Sequence, residues 1–273
     1  MTRILFLAGC LLLASGAPAT AQYRGPRSAD YLFGASVHGA PATWVNPADL
    51  GTTTAEASIM AEGLVQRDAA GDYSFAQYTL GFSSRGFALG FRRDFFAGDV
   101  AGNTWRLAFG RAAGRLAAGA GVSWYPGAGQ AVDLGIRYRL APTLGLAVGL
   151  ENILQPVVRD SSLRFSGTAG LLWSPLRGIG VDVETRAADK PGSGGVLLAS
   201  RAGLRIGLPV GGLPVLLAGI LDFNDSFDAT RLLVGLAIGG DYRLTAVAAG
   251  SHLPTGDVFS GISAVGEIRK RLQ

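Results

Sequence analysis

The sequence predicts an all-β fold: a transmembrane antiparallel β-barrel of about 14 strands, preceded by a short N-terminal plug-like segment. Three observations predict it: an export signal at the start, abundant glycine, and a long succession of alternating segments of similar length. Glycine accounts for 41 of the 273 residues, which is about twice its usual share. This composition suits strands that pack closely against one another.

Residues 1–21 have the layout of a secretory signal peptide. A basic residue precedes an apolar run from Ile4 to Ala14, and the small residues 19–21 supply a cleavage site. Cleavage there leaves a mature chain that starts at Gln22. A lipoprotein cleavage box at Cys10 is the less favoured alternative, because the apolar run continues past it. The sequence therefore predicts export, with the bacterial outer membrane as the destination.

Cysteine chemistry is excluded from the mature chain, because Cys10 is the only cysteine and leaves with the signal. No later run is long and clean enough for a transmembrane helix. The nearest case, residues 207–223, is interrupted by Pro209 and Pro214. The apolar residues of such an exported chain lie either in a soluble core or on the lipid-facing wall of a barrel.

From about Thr54 onward, the sequence divides into fourteen alternating segments separated by Gly, Pro, Asp, Asn or Ser. Lengths near ten residues match tilted strands that cross a bilayer, and they exceed the five or six residues typical of soluble strands. A soluble β-sandwich is the weaker alternative, since its strands are shorter and their outward faces less apolar. The predicted segments are approximately 54–66, 74–83, 86–95, 103–111, 114–125, 130–140, 143–151, 163–174, 178–187, 197–208, 213–222, 229–239, 242–250 and 258–269.

The alternation is clearest in the segment 130–140. Its apolar residues share one face, which is expected to contact lipid, and the residues between them share the other. The predicted lipid face carries Val132, Leu134, Ile136, Tyr138 and Leu140, and the predicted lumen face carries Asp133, Gly135, Arg137 and Arg139.

Connection lengths give an independent indication of a barrel. Four even-numbered connections are very short, as at 84–85 and 141–142, and the other two have only a few residues, whereas most odd-numbered connections are longer, as at 67–73 and 152–162. Outer-membrane barrels have tight periplasmic turns and longer outer loops. An even strand count with this parity places both ends of the barrel on the periplasmic side.

Residues 22–53 alternate poorly and are rich in Gly, Ala and Pro, which predicts a periplasmic segment or an inward plug before the barrel at 54–273. Within them, residues 42–50 read Ala-Thr-Trp-Val-Asn-Pro-Ala-Asp-Leu. This resembles the Asn-Pro-Ala-Gly-Leu signature of FadL-like outer-membrane proteins, the long-chain fatty-acid transporter superfamily with its PorV-like branch. Residues 144–154 similarly resemble a strand ending in Asn-Leu that recurs in PorV-like sequences. The resemblance implies a fourteen-stranded barrel whose lumen is occluded by a plug, here residues 22–50.

Asn46, Pro47 and Asp49 form the candidate plug motif. Asn46 is suited to bond neighbouring backbone and Pro47 to fix the following turn, a structural role that needs no ligand. Asp49 stands where the resembling proteins usually have glycine, which leaves the local turn undetermined.

No catalytic constellation is found in the sequence. His38 and His252 are the only histidines, lie outside any metal-ligand spacing, and are expected to be plug or loop residues. Asp182 and Glu184 share a predicted strand face with Arg186, which favours charge neutralisation over a reactive carboxylate pair. We therefore expect no enzymatic activity, no metal and no cofactor.

Arginine is concentrated on the predicted inner face, with few acids expected beside it. An electropositive lumen would favour anionic solutes or a fatty-acid headgroup. Mutual packing of the side chains inside a narrow barrel is the alternative. The predicted lumen-lining residues are Arg92, Arg106, Asp133, Arg137, Arg139, Arg164, Asp182, Glu184, Arg186, Arg201, Arg205, Arg231 and Arg243.

The sequence leaves two functions open. The preferred one is a FadL-like transport or channel protein that admits small hydrophobic or amphipathic molecules past the plug, which predicts an apolar pocket beside it. The other is a PorV-like partner barrel for a secretion or surface-attachment system, which predicts a filled lumen. The expected partners are outer-membrane lipid, a hydrophobic or anionic small molecule, or a secretion-system protein, and no nucleic acid.

Overall fold

The computed structural model describes residues 29–272 except 30, 68–71, 97–99, 159–160, 190–194 and 252–259. The predicted signal peptide and His252 lie outside the described residues. Fourteen antiparallel strands close into one barrel, which confirms the predicted architecture. No helix among the described residues is long and apolar enough to cross a membrane.

The elements follow one another along the chain with short connections. A single-turn helix and a 3-10 turn precede the first strand. The elements are α1 (Ala42–Val45), the 3-10 turn (Pro47–Thr53), β1 (Glu56–Arg67), β2 (Tyr73–Ser84), β3 (Phe87–Phe96), β4 (Val100–Ala113), β5 (Leu116–Tyr125), β6 (Gly129–Ala141), β7 (Leu144–Glu151), β8 (Val157–Val158), β9 (Ser161–Ser162), β10 (Ser166–Leu176), β11 (Ile179–Asp189), β12 (Val196–Val210), β13 (Leu213–Phe223), β14 (Ala229–Ile238), β15 (Tyr242–Ser251) and β16 (Gly261–Arg271).

The barrel is an up-and-down meander of neighbouring strands. Each barrel strand pairs with the next along the chain, and β1 pairs with β16 to close the sheet. β8 and β9 form a separate small hairpin between β7 and β10. Closure leaves no unpaired strand edge in the barrel wall.

One predicted strand boundary is wrong in a way that affects the candidate residues. The segment predicted to start at residue 163 begins its ladder at Ser166. The preceding Arg164 is outside the strand, and its carbonyl oxygen accepts a hydrogen bond from Asn152 Nδ2 at 3.1 Å. Arg164 therefore has no defined strand face, although it was predicted to line the lumen.

The two faces of the wall differ in character as the alternation predicts. On β6, Leu134 and Ile136 are exposed on the outer face, whereas Asp133 and Gly135 are buried on the inner face. The same outward pattern of exposed apolar side chains recurs on β13 and β14. The outer wall is therefore more apolar than the lumen.

The short connections lie at the end of the barrel where β1 begins and β16 ends. Residues 85 and 86 both have positive φ, at 52° and 84°, as the two-residue turns of twisted hairpins require. Most connections at the opposite end are longer, with the three-residue connections 97–99 and 126–128 as short exceptions. We call these the short-turn end and the long-loop end.

Candidate functional site: a plugged lumen

The described residues from 29 to 53, called the plug below, run inside the barrel. The 3-10 turn contacts β2, β4, β5 and β6, and α1 contacts β3 and β4. Val37, Ala42 and Leu50 of the plug form one apolar cluster with Ala88 and Ala108 of the inner wall. Helix α1 and the 3-10 turn therefore occupy the side of the lumen that faces β2–β6.

Glycines on the inner face of β3–β6 make room for the plug. A Cβ atom built on each of them would overlap an atom of the plug, so the two surfaces fit only without side chains at these positions. The close contact between plug and wall thus explains part of the high glycine content. The matching pairs are Gly90 with Trp44, Gly135 with Asn46, and Gly110 and Gly119 with Pro47.

Side chains of β1 hold the plug backbone on one side of the barrel. The Glu62 carboxylate accepts the backbone N–H of Ala29 at 3.2 Å. The Ser58 hydroxyl oxygen accepts the backbone N–H of Ala40 at 2.6 Å. Both acceptors are buried, so these bonds satisfy plug donors that water does not reach.

Side chains of β11 and β12 hold the plug from roughly the opposite side. Glu184 accepts the backbone N–H of Gly34 at 2.8 Å, and Arg201 donates to the Leu32 carbonyl at 3.3 Å. Because β1 and β11 are far apart in the strand order, the N-terminal segment bridges the lumen.

The candidate motif residues all lie in the plug. Asn46 Oδ1 accepts the backbone N–H of Ala48, and Asn46 Nδ2 donates to the Gly34 carbonyl, both at 3.1 Å. Pro47 starts the 3-10 turn. Asp49 is fully buried and forms an ion pair with Arg137 of β6. Asn46 thus ties two parts of the plug together, and Asp49 ties the plug to the wall.

Burial perturbs two titratable groups of the plug in opposite directions. Burial raises the pKa of the Asp49 carboxyl to about 7, although the Arg137 guanidinium opposes the shift. Burial lowers the pKa of the His38 imidazole to about 3, and nearby arginines, Arg137 first among them, lower it further. The docked plug therefore favours the neutral form of both groups.

The expectation that the inner-face arginines have few acidic neighbours is wrong. Carboxylates from adjacent strands, from strands two positions away in the sheet and from the plug pair with them, so much of the positive charge is neutralised locally and a strongly electropositive lumen does not result. Asp182, Glu184 and Arg186 do not pair with one another. Asp182 pairs with Arg205, Arg186 pairs with Glu151, and Glu184 accepts the backbone N–H of Gly34. Ion pairs among the described residues include Arg106–Asp133, Arg137–Asp49, Arg186–Glu151, Arg201–Asp222, Arg231–Asp222, Arg205–Asp182 and Arg269–Glu267.

Four of these groups form an alternating row across β11–β14, called the charge row below. Glu184, Arg201, Asp222 and Arg231 are direct cross-strand neighbours in that order. Asp222 accepts from Arg201 at 3.2 Å and from Arg231 at 2.6 Å. The sequence contains this row only implicitly, because it appears once the register of the strands is known.

The other predicted lumen residues are placed differently from one another. The Arg92 guanidinium lies 4.3 Å from the Trp44 ring centroid, and Arg106 lies 5.9 Å from the same ring. Arg139 is exposed near the short-turn end. Arg243 is opposite Glu267 in the strand register. They therefore line different levels of the lumen and do not converge on one point.

An apolar patch on the inner wall of β13–β15 was not identified from the sequence. Ile220, Leu233, Val247 and Ala249 form it, and Phe33 of the plug packs on it. The Phe33 ring also lies against Gly203, where a Cβ atom would come within 2.6 Å of it. The available signal was that apolar residues occupy inner-face positions, where the neighbouring strands place polar ones.

Among the described residues, no group of three or more His, Cys, Asp or Glu side chains is arranged to hold a metal ion. The observed polar clusters are carboxylate–arginine pairs and hydrogen bonds to the plug. The fold and the site together define a β-barrel whose lumen contains its own N-terminal segment.

No protein-family profile matches this sequence, and no curated protein matches it. Solved structures share its fold. The Pseudomonas putida toluene transporter TodX has a TM-score of 0.58 at 11% identity, over 87% of this chain and 95% of that chain. The Ralstonia pickettii toluene transporter TbuX has a TM-score of 0.57 at 13% identity, over 86% and 94%. A bacterial polysaccharide outer membrane secretin has a TM-score of 0.53 at 11% identity, over 80% and 100%.

Proposed function

We propose that the protein is a non-enzymatic channel of the bacterial outer membrane whose plug controls the passage of small hydrophobic or amphipathic molecules. The observation that carries this proposal is the apolar patch on the lumen wall, covered by Phe33 of the plug. Such a patch inside a lumen with many polar groups offers a binding surface to an apolar solute. The solute gains that surface when Phe33 moves away.

The outer surface supports the membrane location. Side chains such as Leu217, Val234 and Ile262 are exposed on the outer face of a closed barrel. Contiguous apolar surface of this kind is unfavourable in water and favourable against lipid. The signal-like residues 1–21 and the long-loop and short-turn ends agree with an outer-membrane orientation.

The way in which the plug is held supports a gating role. The plug is held by hydrogen bonds, such as the one from the Gly34 backbone N–H to the Glu184 carboxylate, and by the ion pair of Asp49 with Arg137. Water can replace such bonds when the plug leaves, because each contributes only about 1–3 kcal/mol net. The backbone hydrogen bonds between the barrel strands are more extensive than the bonds that hold the plug, and they remain intact when the plug leaves. Displacement of the plug is thus the lower-energy opening of the molecule.

The choice of solute rests on the patch and on the fold neighbours. Two of the neighbours are toluene transporters by their own descriptions, and the Asn46-Pro47 motif resembles that of FadL-like proteins. The pairing of lumen arginines with acids favours a solute whose binding depends on apolar area. An anionic headgroup is then an addition rather than a requirement.

Single-channel conductance tests the gating role. The full mature chain is compared in planar bilayers with a chain that lacks residues 22–50. We expect the full chain to be nearly silent and the shortened chain to conduct, because the plug occupies the lumen. If both forms insert and both remain silent, the channel proposal is wrong.

Ligand binding tests the apolar patch directly. We expect Phe33→Ala to bind toluene at least several-fold more tightly than the unaltered protein, because the ligand no longer has to displace the ring. Phe109→Ala, on the outer wall, is the matched control and should leave the affinity unchanged. Equal affinity in all three proteins would show that the patch is not the binding surface.

A PorV-like partner barrel is the second candidate. The observation that favours it is the number of separate fixed points that hold the plug, on β1, β6, β11 and β12. A plug that never leaves makes the barrel a rigid support for an assembly. Silence of the shortened chain in the conductance experiment would favour this function.

A further inference from the structure

An aromatic cluster lies on the outer wall of β2–β4 towards the long-loop end. Its rings are close enough to pack: Phe91 and Trp105 have centroids 4.5 Å apart, and Tyr78 lies 5.8 Å from Phe91. Phe95 is 6.0 Å from Tyr78 and 5.6 Å from Phe75. One sector of the outer wall therefore carries large, closely spaced aromatic rings.

A cation lies inside this cluster. Arg93 is the cross-strand neighbour of Tyr78 on β2 and of Asn103 on β4, and alternation places it on the outer face between Phe91 and Phe95. Its guanidinium carbon is 5.4 Å from the Phe95 ring centroid. Its Nε atom is buried with no hydrogen-bond partner among the described residues.

Within the part of the chain that the structure describes, no acidic side chain pairs with Arg93. The adjacent Asp94 belongs to the inner face and accepts a hydrogen bond from Gln77. The outer-face neighbours of Arg93 are aromatic rings and the polar ends of Tyr78 and Asn103. Among the described residues this guanidinium has no ion-pair partner, and planar guanidinium groups bind phosphate by two parallel hydrogen bonds.

The level of Arg93 on the wall indicates where such an anion comes from. Arg93 is three residues before the end of β3 at the long-loop end. The row below it, towards the short-turn end, consists of Phe91, Trp105 and Trp124, which are successive cross-strand neighbours. Charged side chains on a barrel wall cost several kcal/mol at mid-membrane and about 0–1 kcal/mol near the interface. The row of Tyr78, Arg93 and Asn103 thus suits the level of lipid headgroups.

We propose that Tyr78, Arg93 and Asn103 form a binding site for the phosphate group of an outer-leaflet lipid, with its acyl chains packed on Phe91, Trp105 and Trp124. The guanidinium donates to the phosphate oxygens, and the rings supply apolar contact beneath them. This inference rests on the proposed outer-membrane location and goes beyond transport through the lumen.

Native mass spectrometry of the full mature chain in detergent tests the site. The probes are bisphosphorylated lipid A and the same lipid after removal of both phosphates. We expect lipid A to remain bound to the unaltered protein, and Arg93→Gln to lower the bound fraction at least fivefold. Arg93→Lys keeps the charge without the planar fork and should give an intermediate fraction.

The matched control is Arg177→Gln, which removes an exposed arginine from a turn at the short-turn end. It should bind lipid A as the unaltered protein does. Equal binding by the Arg93→Gln protein, or equal binding of the phosphate-free lipid, would overturn the proposal. A dimer that disappears on Arg93→Gln while lipid binding persists would also overturn it, in favour of a protein partner.

Failure of this site is distinguishable from failure of the proposed function. Heat-modifiable migration on gels verifies that every variant forms a closed barrel, and cell fractionation determines whether the protein resides in the outer membrane. Absence from that membrane would contradict the proposed function. Unchanged lipid binding by an outer-membrane-located Arg93→Gln protein would contradict the lipid site alone.

Discussion

At the scale of single residues, Asp49 is a titratable connection between the plug and the barrel wall. It is fully buried and paired with Arg137 of β6. Burying a carboxylate is costly, and a single arginine partner offsets that cost only in part. The raised pKa of Asp49, about 7, expresses this balance. Docking of the plug therefore depends on pH.

Two plug residues give docking opposite pH dependences. The raised pKa of Asp49 strengthens docking below about 4, and this contribution is lost as the pH rises through about 7. The lowered pKa of His38 strengthens docking above about 6.5, and this contribution is lost as the pH falls towards about 3. Between about 4 and 6.5 the two contributions oppose each other.

Single substitutions should separate the two contributions. With Asp49→Asn, docking should strengthen as the pH rises from 4 to 6.5, because only His38 then titrates. With His38→Gln, docking should weaken over the same range. Fluorescence of Trp44, with the other three tryptophans replaced by phenylalanine, measures docking. The same slope in both variants would contradict these assignments.

Gly135 tests the fit between the plug and the wall. A Cβ atom there overlaps the Asn46 amide, whereas at Gly219 on the outer face no atom lies within 4 Å. We expect Gly135→Ala to weaken docking by about 1–3 kcal/mol, the usual cost of overpacking. Gly219→Ala should leave it unchanged. Protease cleavage of the plug measures the effect, and equal cleavage of both variants would argue against a tight fit.

At the scale of elements, the strands were predictable in detail, whereas for the plug the sequence indicated only its place in the chain and not its internal structure. On β6, the alternation from Val132 to Leu140 indicates on which face of the strand each residue lies, because a period of two persists over the whole strand. Helix α1 has four residues, which is too short for any periodicity to show. The plug becomes ordered through contacts such as Asn46 with Gly34 and Glu184 with Gly34, and these depend on tertiary structure.

Ion pairing was missed for a different physical reason. Asp222 and Arg231 face each other because β13 and β14 adopt one register, and a sequence without known turn geometry does not specify register. Counting charges along single strands therefore suggested an electropositive lumen. The apolar patch of Ile220 and Leu233 escaped notice for the same reason, since its members come from separate strands.

The charge row should contribute measurably to the stability of the barrel. Asp222→Asn removes the acceptor shared by Arg201 and Arg231. The three side chains are 16–18% exposed, so water replaces part of the loss. We expect a decrease of about 1–2 kcal/mol in the free energy of unfolding. Urea titration measures it against Asp225→Asn, an exposed loop control, and equal midpoints would contradict the role of the row.

At the scale of the whole molecule, the barrel depends on closure and on its two unlike faces. Eleven residue pairs join β1 to β16, so the first and last strands are held as extensively as neighbouring ones. Once closed, the wall has no edge that could pair with another chain. The outer face is apolar, and under the proposed outer-membrane location this face contacts the lipid of the bilayer.

Adjacent leucines on β13 allow a matched test of that conclusion. Leu217 is 44% exposed on the outer face, whereas Leu216 belongs to the inner face and is opposite Gly207 of β12. We expect Leu217→Arg to weaken folding into lipid vesicles by about 2–4 kcal/mol, the cost of an arginine near mid-membrane. Leu216→Arg should cost much less, because its charge faces the lumen. Equal losses, measured by urea titration in vesicles, would show that the outer face does not contact lipid.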